Sequence, residues 1–314
     1  MEQHRRTVLV LGAKGRFGNA AVNAFSQYGW AVRAQARHAG AWPAGVEYVN
    51  CDAMDTHAVE HAAEQVEVIV HALNPSAYTL AAWRREARQM LAIGISAARR
   101  SGALLMLPGN IYNFGRGMPQ QLTETTPEAA DTPFGQIRRD MEADLRDASD
   151  IDSVVLRGGE FFGGGSGVWF DLAIVHDLSR DIVRYPGPLD RVHEWTYVPD
   201  FAQTFAEVAA RRTELRGFNC FHVPGHPMTG AELLAALERV TGRKLRMRQI
   251  PWPMLILALP FAPMLRSLWT MRYVWQCPHV LDGQKLGAWQ GGVPHTDLDT
   301  VLHRALGELQ FQVG

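Results

Sequence analysis

Thr7-Val8-Leu9-Val10-Leu11-Gly12-Ala13-Lys14-Gly15-Arg16-Phe17-Gly18 is the stretch that decides the fold. Its first five residues mix leucine with β-branched side chains, the composition of a short buried strand. Glycines 12, 15 and 18 follow at once, and residues 17–28 then place apolar side chains at helical spacing. In a strand–loop–helix unit, glycine at these positions permits a tight turn, lets the backbone approach a pyrophosphate and lets the helix pack close to the strand. The helix start then offers free N–H groups and a partial positive charge to phosphate oxygens. Gly12, Ala13, Lys14, Gly15, Arg16, Phe17 and Gly18 are therefore candidate ligands of a dinucleotide cofactor, with Lys14 and Arg16 adding positive charge.

Working outward, residues 30–36, 46–50, 66–71 and 103–107 read as further strands, with a long amphipathic helix over residues 81–100. Strands alternating with helices at this rhythm imply right-handed crossovers and a parallel sheet. The expected fold class is α/β, a doubly wound parallel sheet of Rossmann type. Its NAD(P)-binding domain covers residues 1–157, with residues 195–212 returning to it. Beyond residue 157 the chain turns rich in Gly, Pro and aromatics (RGGEFFGGGSGVW, RYPGPLD), with one helix over residues 230–241. Residues 158–314 are expected to form mainly a smaller α/β lobe that binds substrate.

The end of the second strand chooses the cofactor. NAD binders place a carboxylate there to hold the ribose hydroxyls. Here the chain reads Ala34-Gln35-Ala36-Arg37-His38, so Arg37 is available to a 2′-phosphate and no carboxylate repels it. NADP is expected over NAD.

Composition removes other classes. A formal charge of −1 over 314 residues, with no dense basic run, argues against nucleic acid. Cys51, Cys220 and Cys277 lack CxxC spacing, so neither a disulfide framework nor a zinc site is implied. The pairs His57/His61 and His222/His226 lack an HExxH context, and no metal is expected. Gly165-Ser166-Gly167 is not a nucleophile elbow. The apolar residues 250–265 fall short of the ~20 needed to span a bilayer and carry four prolines. The start of the chain passes into a strand and glycine loop without a signal-peptide core. The reading is a cytoplasmic protein, monomer or homodimer, whose partner is a small-molecule substrate rather than a membrane. His193-Glu194-Trp195, Trp169, Tyr185 and Arg191 either face that substrate or form the core of the second lobe.

The GxxGxxG spacing resembles the short-chain dehydrogenase/reductase superfamily, in particular its extended, NAD-dependent epimerase/dehydratase branch. Asp52 resembles the aspartate that meets the adenine amino group after the third strand, and Ala72-Leu73 falls in the cofactor-facing loop after the fourth. Ile111-Tyr112-Asn113 resembles the VYG segment after the fifth strand. Thr123-Glu124-Thr125-Thr126-Pro127 resembles the TE.TP loop, Leu156-Arg157-Gly158-Gly159-Glu160-Phe161-Phe162-Gly163 the turn near the nicotinamide, and Tyr197-Val198-Pro199-Asp200-Phe201-Ala202 the YV.D.A element. The resemblance implies catalysis by a Ser or Thr, a Tyr, and a Lys four residues after it. By spacing these positions hold Pro108, Phe134 and Arg138. None can do the usual work: proline donates nothing, phenylalanine has no hydroxyl, and arginine stays protonated. The chain is thus similar to atypical members of the superfamily. Tyr112 is the replacement acid/base candidate, Arg138 a clamp for the nicotinamide ribose or a phosphate, and Asn110 a donor that orients substrate. Two functions follow: an NADP-dependent oxidoreductase or epimerase on a small hydroxyl- or carbonyl-bearing substrate, or a non-catalytic NADP(H)-binding redox sensor or regulatory protein.

Overall fold

A computed structural model of the chain describes residues 6–256, 259 and 262–311. Strands β1 (Thr7–Leu11), β2 (Ala31–Gln35), β3 (Glu47–Val49), β4 (Val68–His71) and β5 (Leu104–Gly109) join Ser153–Arg157 and Phe218–His222 in one seven-stranded sheet. From one edge the order is Phe218–His222, Ser153–Arg157, β5, β4, β1, β2, β3, and every neighbouring pair is parallel. Strand order reverses between β1 and β4, the switch point outside which ligands bind in open α/β sheets. The fold is the doubly wound Rossmann sheet.

Helices cover both faces. On one, α1 (Arg16–Gln27) and α5 (Val198–Ala210) pack Val22, Phe25, Phe201 and Phe205 against Val8, Val10 and Val70. On the other, α2 (Thr56–Ala62), α3 (Leu80–Ser101) and α4 (Pro133–Asp147) cover Leu9, Ile69 and Leu105 with Val59, Leu91, Phe134 and Met141. Alternate residues of β1 thus face opposite cores, as the two-residue period of a strand requires. Phe218–His222 was not identified from the sequence. It forms the sheet's edge and pairs in register with Ser153–Arg157, Phe218 opposite Ser153 and His222 opposite Arg157.

The remaining strands form small sheets beside the carboxyl ends of the large one. Glu160–Phe162 runs parallel to Val192–Tyr197, which pairs antiparallel with His226–Thr229. Phe162, Phe170, Trp195, Tyr197 and Trp275 fill the core beneath them, with helix α6 (Gly230–Thr241) and helix Leu298–Glu308 against it. His193, Glu194 and Trp195 belong to this interior. The His193 Nδ1 lies 2.9 Å from the Tyr185 hydroxyl, and the Glu194 carboxylate accepts the Leu281 N–H at 2.9 Å. Of the two roles open to these residues, core packing is the one the structure assigns. Part of the apolar stretch 250–265 lies outside the described residues, and among those described no helix is long and apolar enough to cross a membrane.

Candidate active site

The glycine loop closes tightly on helix α1. A Cβ on Gly18 would sit 2.2 Å from the Gly12 carbonyl oxygen, so only glycine lets the first turn meet the loop. Gly15 is the N-cap and offers no side-chain cap. Arg16, Phe17 and Gly18 are the first helical residues, whose N–H groups have no intrahelical acceptor and point outward. The Ala13 N–H donates to the Gln35 carbonyl at 2.9 Å. The Gln35 side chain, buried at the end of β2, accepts the Gly12 N–H at 2.9 Å and donates to the Cys51 carbonyl at 2.7 Å. A neutral amide therefore ties the loop to the turn after β3.

Two cavities meet at this loop and share Gly15, Ala72, Leu73 and Asn74 in their walls. The outer one, about 630 Å³, lies beside β2 and β3 and is lined by Gly12, Lys14, Arg37, His38 and Asp52. Lys14 and Arg37 are exposed at its rim. Asp52 accepts the Met54 N–H at 2.9 Å, an Asx turn that leaves its second oxygen available. The inner cavity, about 440 Å³, lies beside β4 and β5, where Arg16, Phe17, Asn110, Tyr112 and Arg138 reach it. Phe17 also anchors α1 to α5, its ring 4.8 Å from that of Phe205. The cleft fits a dinucleotide: a glycine cradle a Cβ would fill, uncapped helix N–H groups at the junction, and one cavity on each side of the switch point.

Helix α4 brings the altered catalytic positions together. Thr132 caps it, its hydroxyl accepting the Gly135 N–H at 3.2 Å, and Pro133 sets its first turn. Phe134 and Arg138 are then four residues apart on one face, where both meet Trp83 of α3. The Phe134 ring lies 5.5 Å from Trp83, and the Arg138 guanidinium sits 4.9 Å over the same indole. Arg138 Nη1 donates to the Pro108 carbonyl at 3.3 Å, and its buried Nε has no partner among the described residues. Asn110 caps the short 3-10 turn Ile111–Phe114 by accepting the Tyr112 N–H at 3.0 Å, so only its amide nitrogen is left for a ligand.

Two residues not singled out in the sequence complete the site. Tyr78, from the loop after β4, stacks on Phe134 with ring centroids 5.1 Å apart and planes at 14°. This phenol and that of Tyr112 both line the inner cavity, close enough for each to shift the other's proton affinity. Burial raises the proton affinity of both, Tyr78 to about 12 and Tyr112 well above the ordinary phenol, while Arg138 pulls Tyr78 the other way. Burial also pushes His71, at the end of β4, down to about 4 and keeps it neutral. The second is Glu160, just past the strand Ser153–Arg157. It is 9% exposed, and among the described residues its carboxyl has no hydrogen bond or ion pair. Burial lifts its carboxyl to about 7, and its charge is felt by Tyr78 and Tyr112. Among the described residues no group of three or more His, Cys, Asp or Glu gathers at the spacing a metal ion needs.

Residues 8–220 match the family model described as the NAD dependent epimerase/dehydratase family. The chain belongs to this family. The epimerase/dehydratase family is nicotinamide-dependent, which agrees with the cleft. A curated relative from Streptomyces, 3-diazoavenalumate denitrifying reductase, is 30% identical over 254 residues, covering 75% of this chain and 81% of its own. Among solved structures, UDP-glucose 4-epimerase from Brucella ovis in complex with NAD superposes with a TM-score of 0.78 at 17% identity, over 98% of this chain and 100% of that one. The dTDP-glucose 4,6-dehydratase of Streptomyces venezuelae gives 0.75 at 16% identity, over 97% of each chain. At such identities the likeness is one of fold.

Proposed function

We propose that this family member is an NADP-dependent oxidoreductase or epimerase acting on a small substrate bearing a hydroxyl or carbonyl group, with the lobe beyond residue 158 as its substrate-binding part. The observation that carries the reading is that the Tyr112 and Tyr78 phenols both line the inner cavity, close enough to perturb each other, beside the positions where the usual Ser, Tyr and Lys are missing. A binding-only protein has no use for a proton donor held there, whereas the pair suits transfer at a substrate oxygen. The bound nicotinamide would supply or accept the hydride. Tyr112, protonated at neutral pH, gives the proton to the substrate oxygen; Tyr78 stands beside it, and the Arg138 cation meets the negative charge left on the pair. Neutral His71 and the aromatic walls keep the site apolar. The curated relative is a reductase, which favours net reduction over epimerisation.

NADP preference rests on Lys14, Arg37 and His38 around the outer cavity and on Gln35 where a ribose-binding carboxylate would stand. Titration calorimetry of cofactor-stripped protein with NADPH and NADH tests it, followed by NADPH-oxidation assays over a panel of aldehydes, ketones and quinones. Tighter NADPH binding and turnover that Tyr112→Phe abolishes would support the reading. Binding without turnover of any carbonyl would favour the sensor.

A further inference from the structure

The Arg16 side chain, in the middle of the glycine loop, does not end at the cradle. It crosses to the far wall of the inner cavity, where Nη2 lies 2.8 Å from Asp171 Oδ1 and Nη1 donates to the Gly163 carbonyl at 3.0 Å. The pair is largely sequestered, with side-chain exposures of 12% and 6%. Asp171 also accepts the N–H groups of Gly167 at 2.5 Å and Val168 at 3.0 Å. One carboxylate therefore holds both the loop's arginine and the backbone of segment 163–168.

We propose that residues 163–168 are a strap closing the inner half of the dinucleotide cleft, with Arg16 as its clasp and Asp171 as a positioning residue for the cofactor. The inference rests on the dinucleotide reading of the cleft. Ser166, Gly167 and Val168 line the same cavity as Gly15, Arg16 and Phe17, so the strap stands opposite the phosphate cradle. It is wedged between the starts of two helices. A Cβ on Gly163 would lie 2.3 Å from the Tyr197 ring, and one on Gly164 would press within 3.1 Å of Val198 and 3.6 Å of the Arg16 stem. Both glycines have φ of +72°, a conformation side chains disfavour. In its middle the Gly165 N–H donates to Glu308 at 3.0 Å. Val168 packs against the lobe's core at the strap's end, while Gly165 and Gly167 have open space among the described residues where a side chain would stand. The ion pair is therefore its main attachment on the cofactor side. This also accounts for an arginine in the loop: its charge is committed to Asp171, and the backbone N–H groups of α1 are left to meet the phosphates.

The test uses the full-length protein, with Asp171→Asn and Arg16→Gln to unclasp the strap and Arg16→Lys to keep the charge with a single-pronged donor. Stopped-flow NADPH fluorescence measures association and release, and hydrogen exchange of the cofactor-free protein follows the Gly167 and Val168 amides against those of β1, which report overall folding. We expect Asp171→Asn and Arg16→Gln to release NADPH at least tenfold faster with little change in association, Arg16→Lys to fall between, and the two strap amides to lose protection while β1 keeps it. Tighter NADPH binding by Asp171→Asn would overturn the proposal, because Arg16 would then be a phosphate ligand held back by its partner. Unchanged release or unchanged exchange would overturn it equally. If the unaltered protein binds neither NADPH nor NADH, the dinucleotide reading fails, and the strap's closing role fails with it whatever the exchange shows about the clasp.

Discussion

Glu160→Gln removes the one buried carboxyl beside the site that has neither a cation nor a hydrogen-bond donor among the described residues, and its effect on stability can be worked out. In the unfolded chain the group titrates near 4.5; in the folded protein burial raises it to about 7. Between those values the folded state holds a proton that the unfolded state has released. Stability from this group is therefore fully present below about pH 4.5, falls as pH rises, and is lost once pH passes about 7. The interval of about 2.5 pH at ~1.36 kcal/mol each gives a total near 3.4 kcal/mol, of which about 2.5 kcal/mol falls between pH 5 and pH 8. Glutamine keeps the shape and cannot titrate. Urea unfolding of both proteins at pH 5 and pH 8 gives the double difference, in which other titrating groups cancel. We expect the variant to gain about 2.5 kcal/mol on the unaltered protein from the lower to the higher pH. A double difference below ~0.5 kcal/mol would refute the argument, since a hidden partner would then hold the carboxylate ionised.

Other outcomes follow from single contacts. Tyr112→Phe should lower kcat by ~10²-fold or more with NADPH affinity unchanged, and Tyr78→Phe should do so less severely, as steady-state kinetics with matched cofactor titrations will read. Arg37→Ala should cost NADPH about 10- to 100-fold in affinity and leave NADH nearly unaffected, the loss of one charge-assisted phosphate contact, measured by calorimetry. Gly18→Ala forces a methyl to within 2.2 Å of the Gly12 carbonyl and should lower the thermal midpoint and abolish cofactor binding together. Phe134→Tyr should not restore the usual chemistry. Its ring is packed between Tyr78 and Trp83, so a hydroxyl there should cost about 1–3 kcal/mol in denaturant unfolding without raising turnover.

The parts of the site legible in the sequence are those whose chemistry is backbone chemistry. Gly12 and Gly18 mark a tight loop before the first helix because a Cβ at either would meet backbone oxygen, and the ends of β2, β3 and β4 place Arg37, Asp52 and Leu73 in the cleft because carboxyl ends of parallel strands converge there. Local period also sufficed for the helix over residues 230–241. It failed for Phe218–His222, where Phe221 directly after Cys220 breaks the alternation because both faces are covered, and the partner strand Ser153–Arg157 is remote in the chain. Tyr78 was illegible for a related reason. It sits in an aperiodic loop, and its neighbours in the site, Phe134 and Tyr112, come from elements remote in the chain. Glu160 lies in the segment 156–163, likened by sequence to the turn near the nicotinamide, but its significance comes from burial, which no short window of sequence records.

The three altered catalytic positions bear on whether the site is relic or working machinery. A decaying site is expected to fill or to lose the geometry of its remaining groups. Here each replacement supports another member of the inner cavity. Phe134 has lost a hydroxyl, but its face carries the ring of Tyr78. Pro108 offers no hydroxyl, yet its carbonyl accepts the Arg138 guanidinium, which also rests on Trp83. Asn110 holds the turn that presents Tyr112, and Tyr112 closes the set by sharing the inner cavity with Tyr78. The contacts form one connected group around a cavity of about 440 Å³ that remains open to a ligand. Such mutual support follows if the proton donor has moved from α4 to the tyrosine pair, because Phe134 must then be aromatic and flat rather than hydroxylated. Replacing Phe134 by Leu separates the two accounts: on the relocated-donor reading it should misplace Tyr78 and lower turnover more than it lowers stability, whereas a relic site would register it in stability alone.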